Sequence, residues 1–358
     1  LVNFKDLAAT ERTKKLSANA QWFEDHSPVA PQFKKPEVKG ISAKVITAAI
    51  LAGDLYPATA IGINLPNSDW VRRDFGSKSV TIANLTSAYA KAAHGSGMDK
   101  EFVIDEPTRR LIADYGDNCD DLHTDLHECL GHGSGRLLPG TDPDTLRAYG
   151  STIEEARADL FALYYLGDEK LVELGLTPNM DAHKSQYYSY LQNGALTQLV
   201  RIKAGATIEE AHMRNRALVA NWVLDHARMA KTAHPAAELV KVKGKTYVRV
   251  NDYVEVRRLF GELLAEIQRI KSEGDFNAAR DLIERYAVKI DPKLHQEILT
   301  RYERLHLSPY KGFINPVYHA QRDASGNITD VTLTYDEAFD VQNLRYSRDY
   351  NFLPLVNE

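Results

Sequence analysis

The hydrophobic positions of the chain recur mostly at helical spacing. Apolar side chains return every three or four residues over 254–272, 276–286 and 292–307, which predicts amphipathic helices that each bury one face. Residues 1–23 follow the same spacing and are also predicted to be helical.

Two stretches alternate between apolar and polar positions instead. Residues 239–250 do so around Lys243-Gly244-Lys245, and residues 313–318 and 328–334 flank a run that ends in Gly326-Asn327. Alternation around a glycine turn is typical of β-hairpins. The whole pattern therefore predicts a mainly α fold, an α+β chain in which helices dominate and the strands form small hairpins.

The segment His-Glu-Cys-Leu-Gly-His, residues 127–132, carries two imidazoles and a carboxylate within six positions. Zinc hydrolases commonly have two histidines four residues apart on one helix face, in the pattern H-E-x-x-H. Here His127 and His132 are five apart, so on a regular helix they would point about 140° away from each other. We expect the helix to widen by one residue at Gly131, with an i→i+5 hydrogen bond, so that both imidazoles reach one ion.

A downstream acidic stretch supplies the remaining chemistry. A catalytic zinc ion usually has three protein ligands, and Glu155 is the best candidate for the third. Asp159 lies one helical turn later and Glu154 is adjacent, so each is predicted to accept a hydrogen bond from a ligand histidine. Glu128 follows His127 directly and is predicted to be the general base that takes a proton from zinc-activated water.

His123 offers an alternative pairing, because it lies four residues before His127 and would share its helix face. No glutamate follows it, so we interpret it as a buried polar group or a hydrogen-bonding partner of the site. The helix that carries the zinc motif is predicted to start near Leu122. Two histidines five apart are by themselves usually unrelated to a metal, but the downstream Glu-x₃-Asp pattern favours a zinc site.

Composition excludes several other classes of protein. The net charge of −5 does not favour nucleic acid as a partner, and no apolar run reaches the roughly 18 residues of a membrane helix. The two cysteines, Cys119 and Cys129, do not make a disulfide framework. Because oxidation of Cys129 would disturb the zinc motif, we expect a reducing compartment, the cytoplasm.

These motifs resemble those of the dipeptidyl peptidase III family. Residues 127–132, followed by Gly-Ser-Gly, are similar to the family's HExxGH-GSG segment, and residues 154–159 to its EExRA(E/D) segment, with aspartate at the last position. Residues 62–67 resemble the GINxPN segment, and residues 211–216 resemble AHMxxR. The similarity extends over most of the chain, and the short gap between the two zinc segments resembles the bacterial branch.

The resemblance implies one Zn²⁺ per chain and further site roles. Asn64 and Asn67 are implied to bind the backbone of a short peptide substrate, and His212 to stabilise the transition state. Residues 53–67, which include both asparagines, are rich in turn-forming residues and are predicted to be a loop. Arg216 is expected to support His212 or the substrate carboxylate. Residues 207–210 read Thr-Ile-Glu-Glu, which predicts a capping box at the start of the helix that carries His212.

The implied reaction is the zinc-dependent release of dipeptides from the N-terminus of short peptides. An aminopeptidase or an endopeptidase of other specificity would share the zinc chemistry. A catalytically impaired, metal-stabilised fragment that binds peptides is the non-enzymatic alternative.

Family members are about twice as long as this chain, so we interpret it as the C-terminal catalytic half. Full substrate binding is then expected to need a missing N-terminal lobe. We expect residues 1–310 to form the helical zinc domain, with residues 55–95 or so contributing to a second lobe. Residues 311–358 are expected to belong to that second lobe.

Overall fold

The structure, a computed structural model, describes residues 1–38, 42–56, 62–65, 71, 78–93, 95–229, 234–307 and 314–349. Its strands are β1 (Val2–Lys5), β2 (Ser42–Ile50), β3 (Gly62–Leu65), β4 (Lys78–Ile82), β5 (Ala237–Val242), β6 (Lys245–Val250), β7 (Val317–Arg322) and β8 (Ile328–Thr334). Its helices are α1 (Leu7–Ala18), α2 (Ala20–His26), α3 (Ala83–Ala93), α4 (Met98–Phe102), α5 (Glu106–Leu126), α6 (Gly150–Leu166), α7 (Glu169–Glu173), α8 (His183–Ala195), α9 (Ala211–Met229), α10 (Tyr253–Glu273), α11 (Phe276–Tyr286), α12 (Pro292–Glu303) and α13 (Phe339–Asp349). The mainly α fold predicted from the sequence is confirmed.

The four strands of the first sheet follow the order β1-β2-β4-β3. β1 pairs antiparallel with β2, and β2 runs parallel to β4. β3 is antiparallel to β4, with Gly62 opposite Thr81. A small apolar core joins α3 to this sheet; its buried members are Ile46, Ala48, Leu51, Ile82 and Leu85.

α6 forms the centre of the helical core. Ala156, Ala158, Leu160 and Leu163 are fully buried although they face different directions around the helix, so neighbouring elements enclose α6 on more than one side. α5, α8, α9 and α10 pack around it. Asp159 is therefore buried, whereas Glu154 and Glu155 are partly exposed. Among the described residues, no helix combines the length and the apolarity needed to cross a membrane.

Aspartate caps determine where several helices begin. The carboxylates that accept hydrogen bonds from first-turn N–H groups of α1, α5, α10, α11 and α12 are those of Asp6, Asp105, Asp252, Asp275 and Asp291. Such caps satisfy N–H groups that have no partner inside the helix. Asp105 starts α5 at Glu106, so the prediction that the zinc helix begins near Leu122 is wrong.

Two other predictions from the sequence are corrected by the structure. Residues 1–23 contain the strand β1 before α1 and α2. The residues of β1, Val-Asn-Phe-Lys, alternate between apolar and polar, but over only four positions. Residues 53–67 were predicted to be a loop, but they contain β3, which places Asn64 on a strand. Both predicted hairpins are confirmed, as β5–β6 and β7–β8.

Residues 314–349 pack against the four-stranded sheet. The Asn315 side chain accepts a hydrogen bond from the Leu51 N–H at 2.8 Å and donates one to the Leu51 carbonyl at 2.9 Å. Gln342 makes the same two-way contact with the Asn315 backbone and accepts a bond from the Tyr56 hydroxyl. These contacts agree with a C-terminal segment that joins the sheet, while the division into two lobes stays a prediction.

The buried His183 gives the folded protein a predicted sensitivity to acid. Burial, with the charges of Lys184 and Arg257 nearby, lowers the pKa of His183 from 6.5 to about 4. Between these two pKa values the unfolded chain binds a proton that the folded chain does not. The part of the free energy of unfolding that depends on a neutral His183 is therefore complete above pH 6.5 and is lost as the pH falls toward 4. We expect a loss of about 2 kcal/mol after allowance for solvent screening.

Urea unfolding of His183→Phe and of the unmodified protein, at about pH 7.5 and about pH 4.5, measures this loss. Phenylalanine keeps a ring packed against Tyr187 and Tyr253 but has no proton to gain. The variant should therefore lose less stability in acid. An equal loss in both proteins would contradict the role given to His183.

Candidate metal centre

α5 continues from Leu126 into a π-turn over His127–Gly131. The N–H of His132 donates to the carbonyl of His127 at 3.0 Å, which is an i→i+5 hydrogen bond. The widened turn brings the imidazole rings of these two residues to a centroid distance of 4.7 Å, at 89° to each other. The π-turn predicted from the five-residue spacing is therefore confirmed.

Gly131 allows α6 to approach the π-turn closely. A Cβ atom at residue 131 would lie 2.8 Å from the Cα of Ala158 and 2.9 Å from its carbonyl oxygen. Both of these are backbone atoms of α6, which cannot move without the helix. The two segments that carry the predicted zinc ligands can lie this close because residue 131 has no side chain.

Gly131→Ala should consequently push the π-turn and α6 apart. We expect a loss of stability of about 1–3 kcal/mol, as in other overpacked cores, together with weaker metal binding. Chemical unfolding and zinc titration measure the two effects. Gly150→Ala is the matched control, because its Cβ would lie at an ordinary 3.7 Å from the Leu146 Cβ and alanine favours a helix. Equal stability of the two variants would contradict the role given to the close approach.

Side chains from the π-turn and from α6 converge on one point. Glu155 Oε2 lies 3.3 Å from His127 Nε2 and 4.0 Å from His132 Nε2. Glu128 joins the group, since a carboxylate oxygen of Glu128 and one ring nitrogen of each histidine lie within 4.8 Å of one another. Glu155 Oε2 and Glu128 Oε2 are buried without a hydrogen-bond partner among the described residues. Buried carboxylate oxygens without donors are costly, so this set of residues fits a bound cation.

The outward nitrogens of both histidines are held by carboxylates on α6. His127 Nδ1 donates to Asp159 Oδ1 at 2.6 Å, and His132 Nδ1 donates to Glu154 Oε1 at 2.7 Å. With a cation bound, these bonds would keep a proton on each Nδ1 and leave the Nε2 lone pairs for the shared point, as expected of metal-binding histidines. Asp159 and Glu154 thus lie next to the predicted ligands, and their part in metal binding stays a prediction.

Arg157 connects Glu154 to the end of the π-turn and to the segment that follows it. This fully buried side chain donates to both oxygens of Glu154, at 2.7 and 3.1 Å, and to the carbonyls of Gly131 and Ser134. Lys271, from α10, also pairs with Glu154. Neither cation was predicted to belong to the site, although Arg157 stands inside the EExRA-like segment.

The charges of the cluster favour a cation at its centre. Burial raises the pKa of Glu155, but the neighbouring imidazoles, above all His127, bring it below its usual value. Burial lowers the pKa of His127, but Asp159 and Glu155 raise it to about 10. Without a metal, His127 therefore keeps a proton between these carboxylates. A divalent cation would supply that positive charge instead.

His212 approaches the same point from the first turn of α9. Its Nε2 lies 3.6 Å from Glu155 Oε2, and its Nδ1 donates to Glu210 Oε1 at 2.6 Å. Glu210 also accepts bonds from the N–H groups of His212 and Met213, at 3.0 and 2.8 Å, so Glu210 caps α9, which begins at Ala211. The predicted capping box from Thr207 is therefore wrong. Glu210 was not predicted to be a partner of His212, although an acidic residue just before a helix often indicates a cap on its first N–H groups.

Two further side chains reach the site through Asp159. His123 Nε2 donates to Asp159 Oδ1 at 3.0 Å, and the Tyr190 hydroxyl donates to Asp159 Oδ2 at 2.7 Å. Both side chains are buried. The interpretation of His123 as a buried polar group is confirmed. Tyr190 was not predicted, because its contact depends on how α8 packs beside α6.

The residues predicted to bind substrate are only partly within the described structure. Asn64 lies on β3, but its side chain is outside the description, and Asn67 lies outside the described residues. β3 itself lies beside the centre, since a Cβ atom on Gly62 would be 3.7 Å from Glu128 Oε1. Arg216 is half-buried on α9.

The chain belongs to a known family of peptidases, peptidase family M49. The model of that family matches residues 1–148 and 141–301, which together make up most of the chain. The resemblance to the dipeptidyl peptidase III family is thereby confirmed. The assignments to the bacterial branch and to the C-terminal half stay predictions.

Individual relatives agree with this membership. Dipeptidyl peptidase 3 of Rattus norvegicus is 25% identical over 325 residues, covering 80% of this chain and 42% of the relative. A protein of Arabidopsis thaliana named Nudix hydrolase 3 is 27% identical over 298 residues, covering 81% of this chain and 35% of the relative. The chain thus spans less than half of the length of these two relatives.

A solved structure shares the fold. DPP III from Caldithrix abyssi superposes with a TM-score of 0.68 at 23% sequence identity, over 88% of this chain and 55% of that one. The arrangement of helices around α6 is therefore that of a known fold, of which this chain matches about half.

Proposed function

We propose that the protein is a zinc-dependent exopeptidase that releases dipeptides from the N-terminus of short peptides. The observation that carries this proposal is the point where Nε2 of His127 and of His132 meet Glu155 Oε2, at 3.3 and 4.0 Å. Two imidazoles and one carboxylate are a ligand set that suits Zn²⁺. Membership of peptidase family M49 and the similarity to dipeptidyl peptidase 3 support the reaction.

His127, His132 and Glu155 would hold one Zn²⁺ per chain. When bound, zinc supplies a Lewis acid that polarises a peptide carbonyl and lowers the pKa of water toward about 7. Three protein ligands are typical of catalytic rather than structural zinc sites. The carboxylates of Asp159 and Glu154 keep the two imidazoles oriented toward the shared point.

Glu128 is the general base in this proposal. It follows His127 in the π-turn, and its Oε2 is buried without a hydrogen-bond partner among the described residues. A carboxylate oxygen that no donor occupies can accept a proton from the attacking water and return it to the leaving amine. Glu128 would therefore serve both halves of the reaction.

His212 is the proposed group that stabilises the oxyanion. It faces Glu155 from α9, and Glu210 holds its Nδ1. In the imidazolium form, which has a proton on each ring nitrogen, His212 would also donate from Nε2 to the oxygen that gains negative charge. Arg216, on the same helix, would support it. Asn64 and Asn67 would hold the peptide backbone beside β3, as the resemblance implies.

The remaining partners and the cellular setting are also proposals. Short peptides are the proposed substrates, with no nucleic acid and no membrane as partner. Residues that the relatives have beyond the matched region are proposed to complete the substrate site. Cys119 and Cys129 are both buried and unpaired, which agrees with the cytoplasm as the compartment.

Product analysis with two versions of one hexapeptide tests the proposed reaction. The zinc-loaded protein should release dipeptides from the peptide with a free N-terminus and nothing from its N-acetylated form. Single amino acids would indicate an aminopeptidase, and internal fragments from both peptides an endopeptidase. Peptide binding without turnover would indicate a metal-stabilised binding module. Each of these three results would overturn the proposal.

A further inference from the structure

Two histidines of the same helix share the carboxylate of Asp159. Its Oδ1 accepts hydrogen bonds from His127 Nδ1 at 2.6 Å and from His123 Nε2 at 3.0 Å. Its Oδ2 accepts one from the Tyr190 hydroxyl at 2.7 Å. A carboxylate offers about four lone pairs, so three donors leave this group little freedom to rotate. Two of these three donors, His123 and Tyr190, are not proposed zinc ligands, so Asp159 is also held from outside the metal site.

His123 and His127 lie side by side because α5 is regular up to Leu126. Residues four apart on a regular helix share a face, and these two rings are nearly parallel, at 25°, with centroids 6.5 Å apart. The π-turn starts only at His127 and sets His132 at 89° to it. The segment therefore presents one pair of histidines to Asp159 and another to the metal point. His127 belongs to both pairs.

His123 has a single described polar contact in an enclosed position. Its Nε2 donates to Asp159, while its Nδ1 is buried without a hydrogen-bond partner among the described residues. The ring stacks on Tyr190 with centroids 5.6 Å apart, a contact that phenylalanine would make as well. A buried nitrogen without a partner lowers stability. Packing alone therefore gives no reason for a histidine here, whereas the bond to Asp159 does.

We propose that His123 is a positioning residue of the zinc site, which acts through Asp159 to orient His127 and strengthen metal binding. This inference rests on the proposed function. With the His123 bond in place, Asp159 Oδ1 stays directed at His127 Nδ1, and the Nε2 lone pair stays directed at the metal point. Without that bond the carboxylate can rotate, and His127 loses a fixed partner.

Zinc affinities of His123→Phe and His123→Gln, measured by competition with a chelator, test the proposal. Phenylalanine keeps a ring stacked on Tyr190 and removes the donor, whereas glutamine carries an amide N–H at nearly the same reach. We expect His123→Phe to weaken zinc binding about tenfold, the low end of the range for partners of zinc-bound histidines. His123→Gln should bind zinc nearly as tightly as the unmodified protein. Metal-free His123→Phe should still unfold in one cooperative transition, because the ring packed against Tyr190 is preserved.

A double-mutant cycle with Asp159→Ala tests whether His123 acts through that carboxylate. If it does, His123→Phe should have no further effect on zinc affinity in the Asp159→Ala background. Three results would each overturn the proposal: unchanged affinity in His123→Phe, equal losses in both His123 variants, or an additive loss in the double variant.

The unmodified protein separates this inference from the proposed function. If it takes up no zinc, both are overturned together. If it binds zinc tightly and His123→Phe binds it equally well, only the role of His123 is overturned.

Discussion

Glu128→Gln should lower the rate of dipeptide release by about 10⁴-fold, the upper end of what a general base contributes, while zinc stays bound. Glutamine has the shape of glutamate but cannot accept the proton from the attacking water. His127, His132 and Glu155 are unchanged in this variant, so its zinc content should equal that of the unmodified protein. The measurement is kcat/KM together with zinc per chain on the same sample.

Glu106→Gln is the matched control for the Glu128 variant. Glu106 lies on α5, the helix that leads into the zinc motif, and pairs with Arg109 and Arg110 on the surface. This control should leave both turnover and zinc content unchanged. Retained turnover in Glu128→Gln would refute the assignment of the base. Joint loss of turnover and zinc would make Glu128 a metal ligand instead.

Glu155→Ala should weaken zinc binding by more than about 100-fold, beyond the cost of removing an outer hydrogen-bond partner. Glu155 Oε2 lies within 4.0 Å of the Nε2 atoms of His127, His132 and His212. Without this carboxylate the two ligand histidines would remain without the third protein ligand that catalytic zinc sites usually have. Competition with a chelator at fixed pH measures the dissociation constants.

Glu154→Gln is the informative comparison, because Glu154 is adjacent but holds His132 Nδ1 and does not face the metal point. We expect this change to weaken zinc binding by about 10–100-fold, less than the loss of Glu155. Unchanged affinity in Glu155→Ala would overturn its assignment as a ligand. A larger effect from Glu154→Gln would exchange the roles of the two glutamates.

The proposed ligands could be predicted from the sequence because their geometry is local. His127 and His132 lie within one turn, and a π-turn brings two histidines five residues apart to the same side. Glu155 and Asp159 are one helical turn apart, so their shared face follows from the helix period. Tertiary structure had only to bring the π-turn and α6 together. The glycine at position 131 already indicated that the helix departs from regular α geometry there.

Contacts between distant segments could not be predicted in this way. Asp159 is bound by His123 from α5 and by Tyr190 from α8, and no sequence spacing relates those three residues. Glu210 was predicted to belong to a capping box, but its position next to His212 depends on where α9 begins. A helix start is decided by which side chain reaches the first free N–H groups.

The two missed strands had different physical causes. β1 has only four residues, and all of them are exposed. Its alternation of apolar and polar residues, the usual signal of a strand, is therefore at the shortest length that can be read, and it adjoins the helical spacing of the residues that follow. β3 is short, begins at Gly62 and is followed in the sequence by Pro66, and both residue types are typical of turns. It forms because β4 offers an antiparallel partner, which is a contact between segments and not a local preference.

Zinc per chain, determined by elemental analysis after purification without added metal, tests the central claim most directly. We expect about one equivalent, which a chelator removes together with the peptidase activity and which added zinc restores. No zinc in the purified protein, and none taken up when zinc is added, would contradict the claim that His127, His132 and Glu155 form a metal site.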